Sequence, residues 1–349
     1  MKIANREIGK DNPVFIIAEA GVNHNGKIAL ARHLIAEAKK IGADAVKFQT
    51  WKTEELIIKG AKTASYQKSN TGESDQYKMI KKLELSYSDF RELKKYAEKL
   101  GIMFLSTPDE ETSLNFLADE LDVSAIKIGS SELTNYLYLR KIAAKRKPMI
   151  LSTGMGTLAE VERAVDIIRE INPEPDLAIL HCTTNYPCPP NEVNLNVLRT
   201  YRKHFPSHVI GYSDHTAGIE VPLLAVALGA KIIEKHFTLD NQMDGPDHKA
   251  SLNPKDFQQM VVGIRRVERI LGSFIKKPTE SEKKIKPVIQ KVIVAKRDLP
   301  AGKIITEDAL VAKRTAQKGL APDKYKDLIG KRLKLGVGKD QTITISHVK

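Results

Sequence analysis

His215 and His236 are the side chains best placed to do chemistry. His215 lies in Gly211-Tyr212-Ser213-Asp214-His215-Thr216 and His236 in Ile232-Ile233-Glu234-Lys235-His236-Phe237-Thr238. Each follows a short β-rich run, and a helical stretch of small apolar residues separates them. Parallel strands joined by helices bring their C-terminal ends together at one rim, so residues far apart in sequence can share an ion there. A single histidine is more often a satisfied structural residue. Two of them, at matching strand ends with acidic neighbours, point to a divalent-metal site. Imidazole suits several transition metals, so the pair does not choose among them.

Other polar residues fall at equivalent places. Nearly every strand-like run ends in a polar or charged residue followed by Gly, Ser, Thr or Pro. Glu19, Lys47, Gln49, Thr107, Lys127, Ser130 and Ser152 therefore become candidates together. If Lys47 and Lys127 merely filled an interior, each would need an anionic partner, which weighs against that reading.

The elements that must position these residues follow from hydrophobic periodicity. After an N-terminal hairpin (Lys2 to Ile8, turning near Asp11-Asn12-Pro13), strands are expected at Phe15–Glu19, Ala45–Gln49, Met103–Ser106 and Ala125–Ile128. Four more are expected at Met149–Ser152, Leu177–His181, Val209–Tyr212 and Ile232–His236. Amphipathic helices are expected between them, including Ala29–Ile41, Ser88–Leu100, Leu158–Ile171 and Pro254–Leu271. Repeated β-then-α units of this kind fit an α/β fold, a (β/α)8 TIM barrel over residues 1–275, better than a doubly wound sheet. The long polar connection from Thr50 to Ser86 reads as a lid or binding loop. Residues 276–290, with Pro278, Pro287 and a run of charges, read as a linker. Residues 291–349 read as a small domain of short strands and turns, expected to pack against a partner surface for stability.

Composition narrows the function classes. The 349 residues carry a net charge of +13, and Leu271 to Lys349 hold 19 Lys/Arg against 8 Asp/Glu, so the surplus sits almost wholly in the tail. That tail lacks aromatic interleaving and any recognition motif, so no nucleic-acid partner is expected. No signal peptide and no apolar run near ~18 residues is seen, so no membrane association and a cytoplasmic location are expected. Cys182 and Cys188 are too few for a zinc knuckle or a disulfide framework and read as reduced bystanders.

A set of ordered motifs then identifies a resemblance. They are Ala18-Glu19-Ala20-Gly21-Val22-Asn23-His24-Asn25-Gly26, Val46-Lys47-Phe48-Gln49-Thr50, Leu105-Ser106-Thr107-Pro108 and Lys127-Ile128-Gly129-Ser130-Ser131-Glu132. Leu151-Ser152-Thr153-Gly154-Met155, His181-Cys182-Thr183-Thr184-Asn185-Tyr186-Pro187 and Gly245-Pro246-Asp247-His248-Lys249-Ala250-Ser251 continue the series, around the two histidine motifs. Together they resemble the sialic acid synthase family, which condenses phosphoenolpyruvate with an N-acylated hexosamine to make nine-carbon 2-keto sugar acids. Val294-Ala295-Lys296-Arg297-Asp298 and Ala312-Lys313-Arg314 resemble the antifreeze-like (SAF) domain that such synthases carry.

The resemblance implies that His215 and His236 hold a divalent metal, manganese first, with magnesium or cobalt as alternatives. It implies phosphoenolpyruvate contacts from Lys47, Thr107, Lys127, Ser130, Ser152 and Ser213. Sugar contacts are implied for Gln49, Tyr186, Asp247 and Arg314, and catalytic carboxylates are sought among Glu19, Glu132 and Asp247. Thr184 stands where many relatives have Asn, so its role stays open. Arg314 is implied to reach the active site of the other subunit, which makes a domain-swapped homodimer the expected assembly. The first expectation for the sugar is N-acetylmannosamine, giving N-acetylneuraminate. The alternatives are 2,4-diacetamido-2,4,6-trideoxymannose, giving N,N'-diacetyllegionaminate, and N-acetylmannosamine 6-phosphate. The loop around Tyr66 to Met79 is expected to set that choice.

Overall fold

In this computed structural model of the chain, residues 1–9 and 11–349 are described, the side chains of Ser65 and Tyr66 excepted. Tyr66, one end of the loop expected to select the sugar, therefore has its side chain outside the described residues. The chain divides into two compact units, Met1–Gly272 and Ser273–Lys349.

The first unit is a closed barrel of eight parallel strands. They are β1 (Phe15–Gly21), β2 (Ala45–Thr50), β3 (Met103–Pro108), β4 (Ile126–Ile128), β5 (Met149–Ser152), β6 (Leu177–Cys182), β7 (Val209–Asp214) and β8 (Ile232–His236). Neighbours in sequence are neighbours in the sheet, and β8 closes on β1 with His236 opposite Glu19. Side chains alternate between the two faces of each strand. Phe15, Ile17, Ala45, Leu105, Ile150, Leu180 and Ile232 pack as one interior cluster. The outward set, including Ile16, Val46, Phe48, Phe104, Ile179 and Ile233, packs in the layer under the helices. Near the C-terminal ends the inward positions turn polar: Glu19 and Lys47 each come two residues after an apolar interior position (Ile17, Ala45). Gly211 marks a tight point in this interior, because a Cβ there would come within 2.4 Å of Leu180. A short hairpin pairs Lys2–Ile3 with Arg6–Glu7, and its Ile3 and Ile8 join the interior cluster. Its turn falls at Ala4-Asn5, with Ala4 at φ 50, earlier than the proline-containing stretch expected to make it.

The helices follow their expected periodicity. Pro254–Leu271 buries Phe257, Met260, Val261 and Ile264 on one stripe. Leu158–Ile171 begins with a reciprocal cap in which Thr157 accepts from Glu160 N–H and the Glu160 carboxylate accepts from Thr157. The connection between β2 and β3 contains short helices at Thr53–Leu56, Ser65–Thr71 and Gln76–Leu83.

The second unit has its own apolar cluster, built on Ile293, Ala295, Leu299, Ile305, Leu328, Leu333, Val337 and Ile343. Its strands Val292–Ala295 and Leu310–Lys313 pair antiparallel. The segment read as a linker contains an exposed helix, Glu280–Ile289, with Pro287 inside it. Among the described residues, no helix is long and apolar enough to cross a membrane.

Candidate functional site

The strand ends of the barrel enclose a cavity of about 240 Å³. Glu19, Lys47, Gln49, Thr107, Lys127, Ser130, Ser152, Tyr186, Ser213, His215 and His236 all line it. These residues come from all eight strands or the loops that follow them. Glu132 and Asp247 do not line this cavity. Glu132 sits in the turn after β4, half-buried, and accepts a hydrogen bond from Asn135 Nδ2 at 2.7 Å. Asp247 is buried, and burial raises its carboxyl to about 6, against the pull of His215 and Lys47. Arg314 belongs to the second unit, where it is exposed and its Nε donates to the Ile289 carbonyl at 3.1 Å.

Two buried lysines dominate the electrostatics. Lys47 Nζ lies 2.7 Å from Glu19 Oε2 and donates to Thr107 Oγ1 at 3.0 Å. Lys127 Nζ donates to Ser152 Oγ at 2.8 Å and lies 3.5 Å from Glu234. Their environments differ in balance. Burial works to lower Lys47, but Glu19 and Glu234 together hold it above the usual lysine range. Burial prevails at Lys127, where Glu234 only partly offsets it and the neighbouring Lys47 adds to the shift. Burial lifts the Glu19 carboxyl to about 7 despite Lys47, and the nearby Glu234 adds to the rise. Glu234 is also buried, but Lys127, Lys47 and the Ser213 hydroxyl keep it below the ordinary carboxylate range. One carboxylate of the pair is thus poised near neutrality, the other is held ionised.

The two histidines stand side by side, with ring centroids 5.4 Å apart. His215 Nδ1 donates to the Thr183 carbonyl at 2.8 Å, which leaves its other ring nitrogen as the lone-pair side. Burial and the adjoining His215 push His236 well down, so its imidazole is neutral, the form that binds metals. His236 Nδ1 is buried without a hydrogen-bond partner. An unmet buried polar atom costs about 1–3 kcal/mol, so a pure packing role for this residue is expensive. The donor set therefore fits a divalent transition metal. Among the described residues no cluster of three His, Cys, Asp or Glu suits a metal, so remaining ligands would have to come from water or substrate. Tyr186 packs on both rings, at centroid distances of 4.1 Å and 5.5 Å.

A buried ion pair fixes the strand ends that carry the histidines. Asp214 and Lys235, opposite each other in the β7–β8 register, are fully buried and bonded. Asp214 also accepts from Tyr212 Oη and the Thr216 amide, each at 3.1 Å, and Lys235 donates to the Thr216 carbonyl. Breaking such a pair leaves an uncompensated charge and costs about 3–5 kcal/mol. Ser130 is likewise tied down, accepting from the Gly154 amide at 3.0 Å. A Cβ at Gly154 would collide with the Ser130 and Thr184 hydroxyls, so only glycine allows this approach.

Three titratable cavity residues escape a reading of strand ends alone. Glu234 and Cys182 lie two residues from positions that were or could be picked (His236 and Leu180), on the same inward face. Asp109 follows Thr107 by the same step, just beyond β3, and burial lifts it to about 7 against Lys47, with Glu132 and Glu19 adding to the rise. Cys182 is a free thiol whose sulfur contacts His215 Nδ1 at 3.7 Å, and so stands in the site wall. The bystander reading holds only for its being reduced.

Comparison with known proteins agrees with this geometry. Residues 34–276 match the NeuB family and residues 290–349 the SAF domain. The chain is 45% identical, over 98% of its length and 96% of the relative's, to the N,N'-diacetyllegionaminic acid synthase of Legionella pneumophila. It is 39% identical to the human N-acetylneuraminate-9-phosphate synthase, over 97% of this chain and 93% of that one. The crystal structure of an N-acetylneuraminic acid (sialic acid) synthetase from Leptospira borgpetersenii serovar Hardjo-bovis superposes with a TM-score of 0.73 at 36% identity, covering 81% of this chain and 94% of that one.

Proposed function

The chain belongs to the NeuB family of sialic acid synthases, and on that premise we propose that it condenses phosphoenolpyruvate with an open-chain N-acylated hexosamine and releases phosphate. The observation that carries this reading is one cavity holding two buried lysines beside two adjacent imidazoles. Phosphoenolpyruvate presents a phosphate and a carboxylate. Lys47 and Lys127 bind these anions, with hydroxyl donors from Thr107, Ser130, Ser152 and Ser213. His215 and His236 would hold a divalent metal, manganese by family resemblance, with magnesium or cobalt as alternatives. When bound, such an ion supplies a Lewis acid for the sugar's aldehyde oxygen. The enol carbon of phosphoenolpyruvate attacks the aldehyde carbon, water adds at the former C2, and phosphate leaves with the bridging oxygen. Glu19, poised near neutrality, is assigned the proton transfer to or from these oxygens. Glu234, held ionised, keeps Lys127 and Ser213 aligned. Glu132 acts through Asp109, whose carboxyl, lifted by burial to about 7, it helps to raise. Tyr186 and Gln49 serve the sugar side, and Asp247, outside the cavity wall, acts through the neighbouring charges of His215 and Lys47.

N-acetylmannosamine, its 6-phosphate and 2,4-diacetamido-2,4,6-trideoxymannose are the candidate sugars, and the 45% identity to a synthase named for N,N'-diacetyllegionaminic acid speaks for the last. Sugar-dependent phosphate release from phosphoenolpyruvate tests the function with each sugar in turn and with N-acetylmannosamine 6-phosphate. Release with at least one is expected; no release with any of them, in the presence of manganese, would overturn the reading.

Binding should also move protons. An incoming anion beside Glu19 raises its carboxyl further above about 7, so phosphoenolpyruvate binding takes up a proton and weakens as pH rises from 7 to 8.5. Calorimetry in two buffers of different ionisation enthalpy should show this uptake in the wild type and little of it in Glu19→Gln. Equal uptake in both proteins would remove Glu19 from the anion site.

Arg314 is proposed to serve the barrel of a partner subunit, its fork of donors suiting the sugar's N-acyl oxygen. Homodimers of His215→Ala and of Arg314→Ala should each be inactive or nearly so. Co-refolded in equal amounts they form mixed dimers with one intact site each, so about a quarter of wild-type activity should return if the sites are independent. Mixed chains shown by mass to be heterodimeric, yet no more active than their parents, would place the arginine in its own chain's site or outside the chemistry.

A further inference from the structure

Beside the catalytic cavity lies a second one of about 550 Å³, and the two share Met155, Cys182 and Thr184 in their walls. Space requires something of it. Pockets for ligands of this class span about 300–1,000 Å³, and the 240 Å³ catalytic cavity must already take phosphoenolpyruvate and the sugar's reacting end. The far end of the sugar extends beyond it, and the second cavity adjoins it along the shared wall.

Its chemistry is distinct from that of the first. Among the described residues that line it there is no lysine or arginine, and its one carboxylate is Glu192. Burial pushes His181 down, and its Nε2 donates to the Val193 carbonyl at 2.7 Å, so this ring is neutral. The remaining polar groups are hydroxyls and amides, among them Thr184, Asn185 and Thr200. Thr184 stands at the junction, exposed. A phosphate would meet a carboxylate here and no cation. A neutral amide would find an acceptor for its N–H and hydroxyl or amide donors for its carbonyl.

We propose that this second cavity is a subsite for the half of the sugar remote from its aldehyde, taking a neutral acylamino substituent at C4, with Thr184 at its entrance and Glu192 turning phosphorylated sugars away. The proposal rests on the phosphoenolpyruvate-condensing reading of the first cavity. It gives Thr184 a role, and it selects the diacetamido sugar over both N-acetylmannosamine and its 6-phosphate.

The test measures kcat/KM for these three sugars in the wild type, in Thr200→Trp and in Glu192→Lys. Thr200 is exposed and lines the second cavity alone, so tryptophan there fills the subsite without touching the first. The wild type should prefer the diacetamido sugar at least tenfold, with the 6-phosphate poorest. Thr200→Trp should lose tenfold or more with the diacetamido sugar, through KM, while KM for phosphoenolpyruvate and activity with N-acetylmannosamine change less than twofold. Glu192→Lys should narrow the gap between the diacetamido and phosphorylated sugars at least fivefold, which keeps the test decisive should the tryptophan variant fail to fold. A wild-type preference for the 6-phosphate, or variants that shift all three sugars alike or none, would overturn the subsite. Phosphate release with none of the sugars would instead overturn the reading on which it rests.

Discussion

Replacing His215 or His236 with alanine should lower kcat at least about 10³-fold, equivalent to roughly 4 kcal/mol of lost transition-state stabilisation, while the barrel stays folded. The expectation rests on two imidazoles with centroids 5.4 Å apart in the cavity wall and a buried, unpartnered nitrogen on His236. Elemental analysis adds a readout independent of turnover. The wild type should retain a divalent metal through gel filtration, and each variant should lose it. Chelation should silence the wild type reversibly, with circular dichroism unchanged. Full activity after verified metal removal would return both histidines to a packing role.

Lys47→Ala and Lys127→Ala should each raise KM for phosphoenolpyruvate far more than KM for the sugar. A charge-assisted hydrogen bond to an ionised group contributes about 1.5–3 kcal/mol, or about 10- to 150-fold in affinity. The two variants should not behave alike. Lys47 is paired with Glu19 at 2.7 Å, so its removal also leaves a buried carboxyl without its cation, with only Gln49 Nε2 donating to it, and drives Glu19 further toward its protonated form. Lys127 is held more loosely, 3.5 Å from Glu234, and its loss leaves Glu234 next to Lys47 and Ser213. The pH dependence of phosphoenolpyruvate binding should therefore change in Lys47→Ala and persist in Lys127→Ala. An unchanged KM for phosphoenolpyruvate in both, with only the sugar KM raised, would mean that the two substrates are placed the wrong way round.

Much of the site was legible because the barrel converts a simple sequence rule into geometry. A polar residue two positions after an apolar interior residue, near the end of a strand, must point into the rim, and that rule finds Glu19 and Lys47 without any structure. Applied one step more strictly it also finds Glu234, two residues before His236, and Cys182, two after Leu180. Glu132 and Asp247 show its limit. Both lie beyond the strands, in a turn and a loop whose backbone directions periodicity does not encode, and neither lines the catalytic cavity. The short helices between β2 and the expected helix at Tyr87–Leu100 were missed for a related reason. Thr53–Leu56 and Ser65–Thr71 span four and seven residues, too short for a helical period to stand out in a polar stretch. The buried Asp214–Lys235 pair was invisible because joining the residue before His215 to the residue before His236 needs the β7–β8 register, which the sequence does not encode locally.

Phosphoenolpyruvate labelled with heavy oxygen at the bridge between C2 and phosphorus tests the central claim most directly. Incubated with the enzyme, manganese and the sugar that supports turnover, it should deliver the label into inorganic phosphate, in step with formation of a nine-carbon 2-keto acid. Label retained in the sugar acid would mean attack at phosphorus, and phosphate release without any sugar acid would mean simple hydrolysis. Either result would contradict condensation at the cavity formed by Lys47, Lys127, His215 and His236.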